Sequence, residues 1–585
     1  MGNDLVEFVV YKIVLQYFSY PFMQKQPKED KNVKRKTWLK YRAYLHLTNK
    51  ISLQKENGKI DKEQIKSLKK KVCNPTYVAQ HAFFPLLHYK DKQRRYKKQF
   101  CKKEGQFCNK KGQFCKKRGQ FCKQEGEYIR SHNDIEDNKS TAKIRPIHFA
   151  THIDAHIYAY YKDKLSVGYE KKLSENPNLD ACVLAYRQIP QRDNFGNPIT
   201  KKITKNGKLK KVILGKSTIH FANEIFDDIT KITTKNGSCV VLTFDVEKFF
   251  SSLHHQKLKK VWLKFLPQAE INDKKGLNDD HYNVFKTVTK FSYIDIKELK
   301  KGRGLNEQKL HKIREEGVNA FFKSPEEFRK AIKNKEFLIY KNQYFYKDEE
   351  TNKKEPCGIP QGLPISAVLA NMYMYCFDNA ILKFIGDNKD IVYRRYSDDI
   401  LIICNENNCD EIKEKVKKLI TNQKLKLSEG KTEKFIFKSE NNKITVNRYD
   451  ANREKYISNS PLTYLGFEFY GYKTLIKAAN ISKFYRRIKQ AINAKKRVIA
   501  RLKEKRNTDN VELYTKDFYK LLTTEKPKPT QKKPTGRKNR QKANDKFGNF
   551  PHYVYKAHKV FKSKEMLKQI RNRYKFLRNE LAKFD

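Results

Sequence analysis

The apolar residues of this chain alternate between two periods. Cys239-Val240-Val241-Leu242-Thr243-Phe244 is a short, nearly unbroken apolar run that ends at Asp245. Such a run, rich in β-branched residues, predicts a buried strand with the acid at its end. Ile400-Leu401-Ile402-Ile403 is a second run and follows directly on Tyr396-Ser397-Asp398-Asp399, which predicts a tight turn between two strands. Val183–Ile189, Lys216–Phe221 and Leu462–Phe469 also read as strands. Residues 191–215, with Gly, Asn, Pro and many Lys, read as a long hairpin loop between the first two of these. Helical spacing marks His152–Tyr161, then Ile481–Arg506 with Phe484, Ile488, Ile492, Ile499 and Leu502 on one stripe, and Val554–Leu581 as one helix or a pair. Leu5–Met23 is apolar, but Glu7, Lys12 and Gln16 interrupt it at helical spacing, so we expect an amphipathic helix and no membrane span.

Between the basic N-terminal stretch and the first globular pattern lies a repeat of period seven. Its units begin at Gln99, Gln106, Gln113 and Gln120, each reading Gln-Phe-Cys and closing on Gly. Phe and Cys are adjacent rather than in heptad spacing, and the glycines oppose a helix, so this is no coiled coil. Cys101, Cys108, Cys115 and Cys122 are too far apart in sequence for the usual zinc spacing. The repeat reads as a flexible basic insertion, with RNA contact as its functional alternative. Residues 525–549, rich in Lys, Pro, Asn and Gly, read as a linker.

Composition changes the picture in one respect. The 585 residues hold 126 Lys and Arg against 65 Asp and Glu, a net charge of +61. That excess calls for a polyanionic partner, and nucleic acid is the first candidate. The 34 Tyr and 37 Phe could stack on bases, although most are expected in the core. Eleven Cys is an odd number, and we expect reduced thiols in a cytoplasmic protein. His152 and His156 stand four apart on the expected helix, but no third ligand is near, so packed or surface histidines are expected.

The candidate chemistry lies in the acids. Adjacent carboxylates at a tight turn repel each other, and divalent cations relieve the repulsion. One strand-end Asp plus a strand-turn Asp pair can hold two Mg²⁺ about 3.5–4 Å apart, as polymerases and some nucleases do.

Order and context add to this. After Asp245-Val246-Glu247-Lys248-Phe249-Phe250 come Gly358-Ile359-Pro360-Gln361-Gly362-Leu363-Pro364-Ile365-Ser366, then Arg394-Arg395-Tyr396-Ser397-Asp398-Asp399, then Leu425-Lys426-Leu427-Ser428-Glu429-Gly430-Lys431, and last Tyr464-Leu465-Gly466-Phe467. This series, over roughly residues 145–475, resembles the palm motifs of reverse transcriptases. The resemblance implies an α+β, right-hand polymerase fold: fingers and an antiparallel palm sheet with helices over 144–475, a helical thumb over 476–524, and basic helical N- and C-terminal extensions at 1–90 and 550–585. The repeat insertion would occupy 91–143 and the linker 525–549. It implies that Asp245, Asp398 and Asp399, with the carbonyl of Val246, hold two Mg²⁺, Mn²⁺ being possible. Lys431 would protonate the leaving pyrophosphate as general acid. Phe250 would exclude a ribose 2′-hydroxyl, Gln361 would lie in the loop beneath the templating pair, and Leu465 and Gly466 would form the primer grip. Arg187 and Lys216 would meet the triphosphate.

Within the family, His152–Tyr161, Ala185-Tyr186-Arg187-Gln188-Ile189 and Arg394–Asp399 look most like the bacterial phage-defence-associated, abortive-infection-like group. That likeness implies dNTPs as substrates, an RNA template, possibly a dedicated non-coding RNA, a DNA product and no membrane partner. A group II intron-type maturase or mobile-element enzyme is the alternative, and a non-catalytic RNA-binding scaffold is the alternative from another class. No endonuclease or RNase H module is evident.

Overall fold

The structure, a computed structural model, describes residues 44–48, 61–93, 98–100, 114–115, 120–122, 127–130, 143–205, 208–272, 276–315, 320–348, 351–428, 431–441, 443–450, 454–506, 515–522 and 549–584. The expected Leu5–Met23 helix and residues 525–548 lie outside them. The chain divides into two compact units. One draws on residues up to Tyr169 and on Phe250–Met372, the other mainly on Glu170–Phe249 and Tyr373–Asp585.

The first unit is built on a four-stranded sheet in the order Tyr340–Lys341, Ser292–Asp295, Leu86–Gln93, Lys143–Phe149. Its inner pair is parallel, with Leu87 level with Ile294, and Leu87, Phe149, Ile294, Leu299, Phe322 and Phe328 close a core beside it. Helix His152–Ser174 begins as expected. His152 and His156 are both buried, and the backbone N–H of His152 donates to His46 Nε2 at 2.7 Å; packing, not metal, accounts for them. The repeat departs from the expected flexible insertion. Lys98–Phe100, Glu127–Arg130, Gln120–Cys122 and Phe114–Cys115 pair in that order as a small antiparallel sheet, with Phe114 opposite Phe121. A Gln-Phe-Cys triplet suits a strand.

The second unit carries a six-stranded antiparallel sheet. Its order is Val392–Tyr396, Asp399–Cys404, Ser238–Asp245, Glu433–Glu440, Lys443–Asp450, Lys455–Ser458. Helix Thr218–Asn236 covers one face, burying Ile219, Ala222, Ile225, Phe226, Ile229 and Ile232 against Val241, Leu401, Ile403 and Phe435. Each such side chain contributes about 1.5–3 kcal/mol on burial.

This helix corrects the strand expected at Lys216–Phe221. The apolar positions from Ile219 onward recur at helical spacing, and Ser217 caps the first turn, its N–H donating to His220 Nδ1 at 3.0 Å. Val183–Ile189 is not a strand either: only Val183 pairs, in parallel with Arg395, and the chain then turns at Tyr186, where φ is 61°. Within the expected loop, Thr200–Lys205 and Lys208–Ile213 form an antiparallel ribbon. The single strand expected over Leu462–Phe469 is a hairpin of two, Leu462–Tyr464 and Phe467–Phe469. The basic helix runs Ala478–Arg506, and Phe484, Ile488 and Ile492 pack with Phe518, Leu522 and Leu577. Helices Phe550–Phe561, Glu565–Lys568 and Arg573–Leu581 follow. Cys73, Cys182, Cys239, Cys357, Cys376, Cys404 and Cys409 are free thiols, and no described helix is long and apolar enough to cross a membrane.

Candidate active site

Strand Ser238–Asp245 pairs antiparallel with Asp399–Cys404 from Val240↔Cys404 to Asp245↔Asp399. Two carboxylates therefore face each other across adjacent strands. Like charges directly opposite destabilise a sheet, and the arrangement is stable in the presence of positive charge. Tyr396 pairs with Asp399, so Ser397 and Asp398 form the two-residue turn that leads into Asp399. Ser397 takes up φ 63°, a conformation that costs a non-glycine residue energy and recurs at functional turns.

Backbone bonds fix the neighbouring segments to this turn. The N–H of Val246 donates to Asp398 O at 3.3 Å, that of Ser428 to Asp245 O at 2.8 Å, and that of Glu247 to Lys426 O at 2.8 Å. Val246 itself is level with Leu427. The ammonium of Lys431 is paired with the carboxylate of Asp245. The sequence reading assigned cations to the acids, and here a cationic side chain lies on one of them.

Beneath the turn, Arg395 is fully buried and binds the equally buried Asp378 with two bonds of 2.7 Å, Nε to Oδ1 and Nη2 to Oδ2. Its remaining arm donates to Ser397 O at 3.1 Å, and Tyr393 donates to Asp378 Oδ1 at 2.6 Å. The motif named Arg395, but Asp378 and Tyr393 were not among the expected site residues. An acid spaced along a helix from its partner arginine leaves no local signal.

Two further expected residues belong to the first unit. Phe250 lies in the short helix Phe249–Ser252, and its carbonyl accepts from Ile359 N–H at 2.8 Å. Gln361 O accepts from His148 N–H at 2.8 Å, and Ser366 Oγ donates to Pro360 O at 2.6 Å. Gly362 has φ 119°, and a Cβ there would lie 2.4 Å from His148 O, so only glycine fits. The structure thus brings the Phe250 turn and the Gln361 loop together.

Leu465 and Gly466 are the two central residues of the Tyr464↔Phe467 hairpin, with φ 46° and 92°, the pair of positive values that a tight hairpin turn requires. Behind them the Tyr464 hydroxyl is buried with no hydrogen-bond partner among the described residues; burial first, then the charge of Asp399, raises its pKa.

The two cations expected at the triphosphate both carry acidic partners. Arg187 donates to Glu170 at 2.7–3.1 Å, to the carbonyls of Asp180 and Val183, and to the Asp180 carboxylate. Lys216 pairs with Glu224 at 2.6 Å. Arg187 is an anchor for its own segment. Its neighbour Tyr186, which was not expected to act, is half exposed and lies within the field of Asp398 and Asp399.

The donor set of Asp245, Asp398, Asp399 and nearby backbone carbonyls consists of hard oxygens, which suit Mg²⁺ or Mn²⁺. Among the described residues no group of three or more His, Cys, Asp or Glu side chains is gathered closely enough to hold a metal ion.

Residues 318–469 match the family model of the reverse transcriptase, RNA-dependent DNA polymerase. The match takes in Gln361, Asp398, Asp399, Lys431, Leu465 and Gly466; Asp245 and Phe250 precede it. No curated protein matches the chain. Among solved structures, apo telomerase from Candida tropicalis, truncated from its C-terminal domain, is 12% identical over 58% of this chain and 62% of its own, with a TM-score of 0.25. Telomerase from Candida albicans, in complex with a fragment of telomeric RNA, is 9% identical over 61% and 49%, with a TM-score of 0.28. The RNA-dependent RNA polymerase of BmCPV is 11% identical over 59% and 22%, with a TM-score of 0.28. The chain spans between about a fifth and three fifths of these proteins' lengths. Reverse transcriptase domains act with divalent metal ions. Residues 318–469 of this chain therefore form a reverse transcriptase domain, the module of an RNA-directed DNA polymerase.

Proposed function

We propose that the protein is an RNA-directed DNA polymerase that adds dNTPs to a 3′-hydroxyl by a two-metal mechanism, working with a non-coding RNA in bacterial anti-phage defence. The observation that carries the enzymatic part is the opposition of Asp245 and Asp399 across adjacent strands, with Asp398 at the turn between. Asp245, Asp398 and the Val246 carbonyl would hold the ions, with Asp399 in support. When bound, two Mg²⁺ or Mn²⁺ ions favour the attacking alkoxide and neutralise the departing pyrophosphate. Lys431, already drawn to Asp245, would give its proton to the pyrophosphate oxygen as the bond breaks. Phe250 would hold the sugar pocket too small for a 2′-hydroxyl, and Gln361 would lie under the templating pair. Leu465 and Gly466 would hold the primer end. The net charge of +61 supports a large RNA partner. The defence setting, the cytoplasmic location and the dedicated RNA rest on the sequence resemblance alone.

The test is to purify the protein with whatever nucleic acid accompanies it and add Mg²⁺ and labelled dNTPs without primer or template. Bound RNA and product are then sequenced, with Asp398→Ala as control. A defined RNA with a matching DNA product supports the whole reading. Extension only of a supplied RNA–DNA primer–template keeps the polymerase and removes the dedicated RNA. No incorporation under either condition overturns both.

A further inference from the structure

Tyr186 differs from an ordinary surface tyrosine in three ways. Its backbone φ is 61°, a conformation that is strained for a bulky residue and persists only where the surroundings impose it. Those surroundings are on both sides of it. Val183 bridges Arg395 in parallel, the N–H of Leu184 donates to Arg395 O at 3.0 Å, and the guanidinium of Arg187 is locked onto Glu170 and Asp180. The bridge and the Leu184 bond hold Val183 and Leu184 against Arg395, the residue that leads into the Ser397–Asp398 turn.

The third feature is what the ring faces. Tyr186 is 50% exposed, whereas Ser397 is 3% exposed. The Ser397 hydroxyl has no hydrogen bond of standard geometry among the described residues, and the Tyr186 phenol is the group directed at it. Burial of the hydroxyl end, and more weakly the charges of Asp398 and Asp399, keep the phenol protonated. One face of an aromatic ring is thus open to solvent at the edge of the carboxylate turn, held there against backbone strain.

We propose that Tyr186 is a substrate-binding residue of the polymerase reaction, its ring packing on the nucleoside of the incoming dNTP. The proposal rests on the polymerase reading above. Aromatic stacking on a base is sequence-tolerant, since every base has a π-face, which suits a site that must accept all four dNTPs in turn.

The test compares wild type, Tyr186→Phe, Tyr186→Leu and Tyr186→Gly on an RNA template annealed to a DNA primer. Glycine removes the ring and relieves the strained φ; a purely structural tyrosine predicts a lower Tm from lost packing with an unchanged KM. We expect instead that Tyr186→Gly keeps its Tm while KM for dNTPs rises about 5- to 100-fold. Leu should share the rise in KM, Phe should stay near wild type, and the primer–template Kd should not move. A wild-type KM in Tyr186→Gly and Tyr186→Leu overturns the proposal, as does a change confined to the primer–template Kd. If wild type incorporates nothing, the polymerase reading has failed by itself. Equilibrium dialysis of labelled dTTP against wild type and Tyr186→Gly then decides the ring's role separately: equal binding refutes it, and weaker binding to the variant supports it.

Discussion

Arg395 and Asp378 form a doubly hydrogen-bonded ion pair with no solvent exposure on either side chain, and the same guanidinium holds the carbonyl of Ser397 in the carboxylate turn. Breaking one partner of such a pair leaves a buried uncompensated charge, which costs about 3–5 kcal/mol. Asp378→Ala should therefore lower stability by about that amount, measured by urea unfolding. The double variant Asp378→Leu/Arg395→Met should recover much of the stability and still polymerise poorly, because nothing then holds Ser397 O. Full activity in the double variant would show that the pair serves the core alone.

Asp398→Ala removes the carboxylate at the tip of the turn without disturbing the strand register. Incorporation should fall by several orders of magnitude, while circular dichroism, Tm and RNA binding stay close to wild type. Residual synthesis at the wild-type rate would sink the two-metal assignment.

Lys431→Ala should lower kcat by about 10²–10⁴-fold with little change in KM, the signature of a lost general acid. A loss confined to KM would place Lys431 in binding or in shielding Asp245 instead.

Phe250→Ala opens the space where a 2′-hydroxyl would sit. The preference for dNTPs over rNTPs should fall by about 10-fold or more, read from kcat/KM for matched pairs. An unchanged ratio returns Phe250 to ordinary packing against the Ile359 segment.

Acid should destabilise the first unit. Burial holds His148 at a pKa of about 3 and His46 at about 4, below the ordinary 6.5. His148 packs against His88, Phe291 and Tyr293, and His88 in turn pairs with Asp295. Between pH 6.5 and these folded values the unfolded chain binds more protons than the native one, so stability falls as pH falls through that window. From pH 7 to pH 5 each of these histidines should cost about 2 kcal/mol. His148→Phe should lose correspondingly less over the same interval in urea unfolding. Parallel losses in variant and wild type would assign the acid sensitivity elsewhere.

The amino-acid sequence by itself determined the strands that end or begin at Asp245 and Asp399, because a short β-branched apolar run bounded by acids has few other solutions. It also determined the helices at His152 and Ala478, the order of the motifs and the need for a polyanionic partner. It misread Lys216–Phe221, where a window of six residues could not reveal the helical period that continues to Ile232. It also misread Val183–Ile189, whose course is set by a distant pairing with Arg395. Tertiary structure alone decided that Asp245 is level with Asp399, and that Asp378 supports the turn from beneath. It also decided that Arg187 pairs with Glu170 and Asp180. Local periodicity records which face of an element is buried; which residues meet across elements depends on register and on partners far away in the chain.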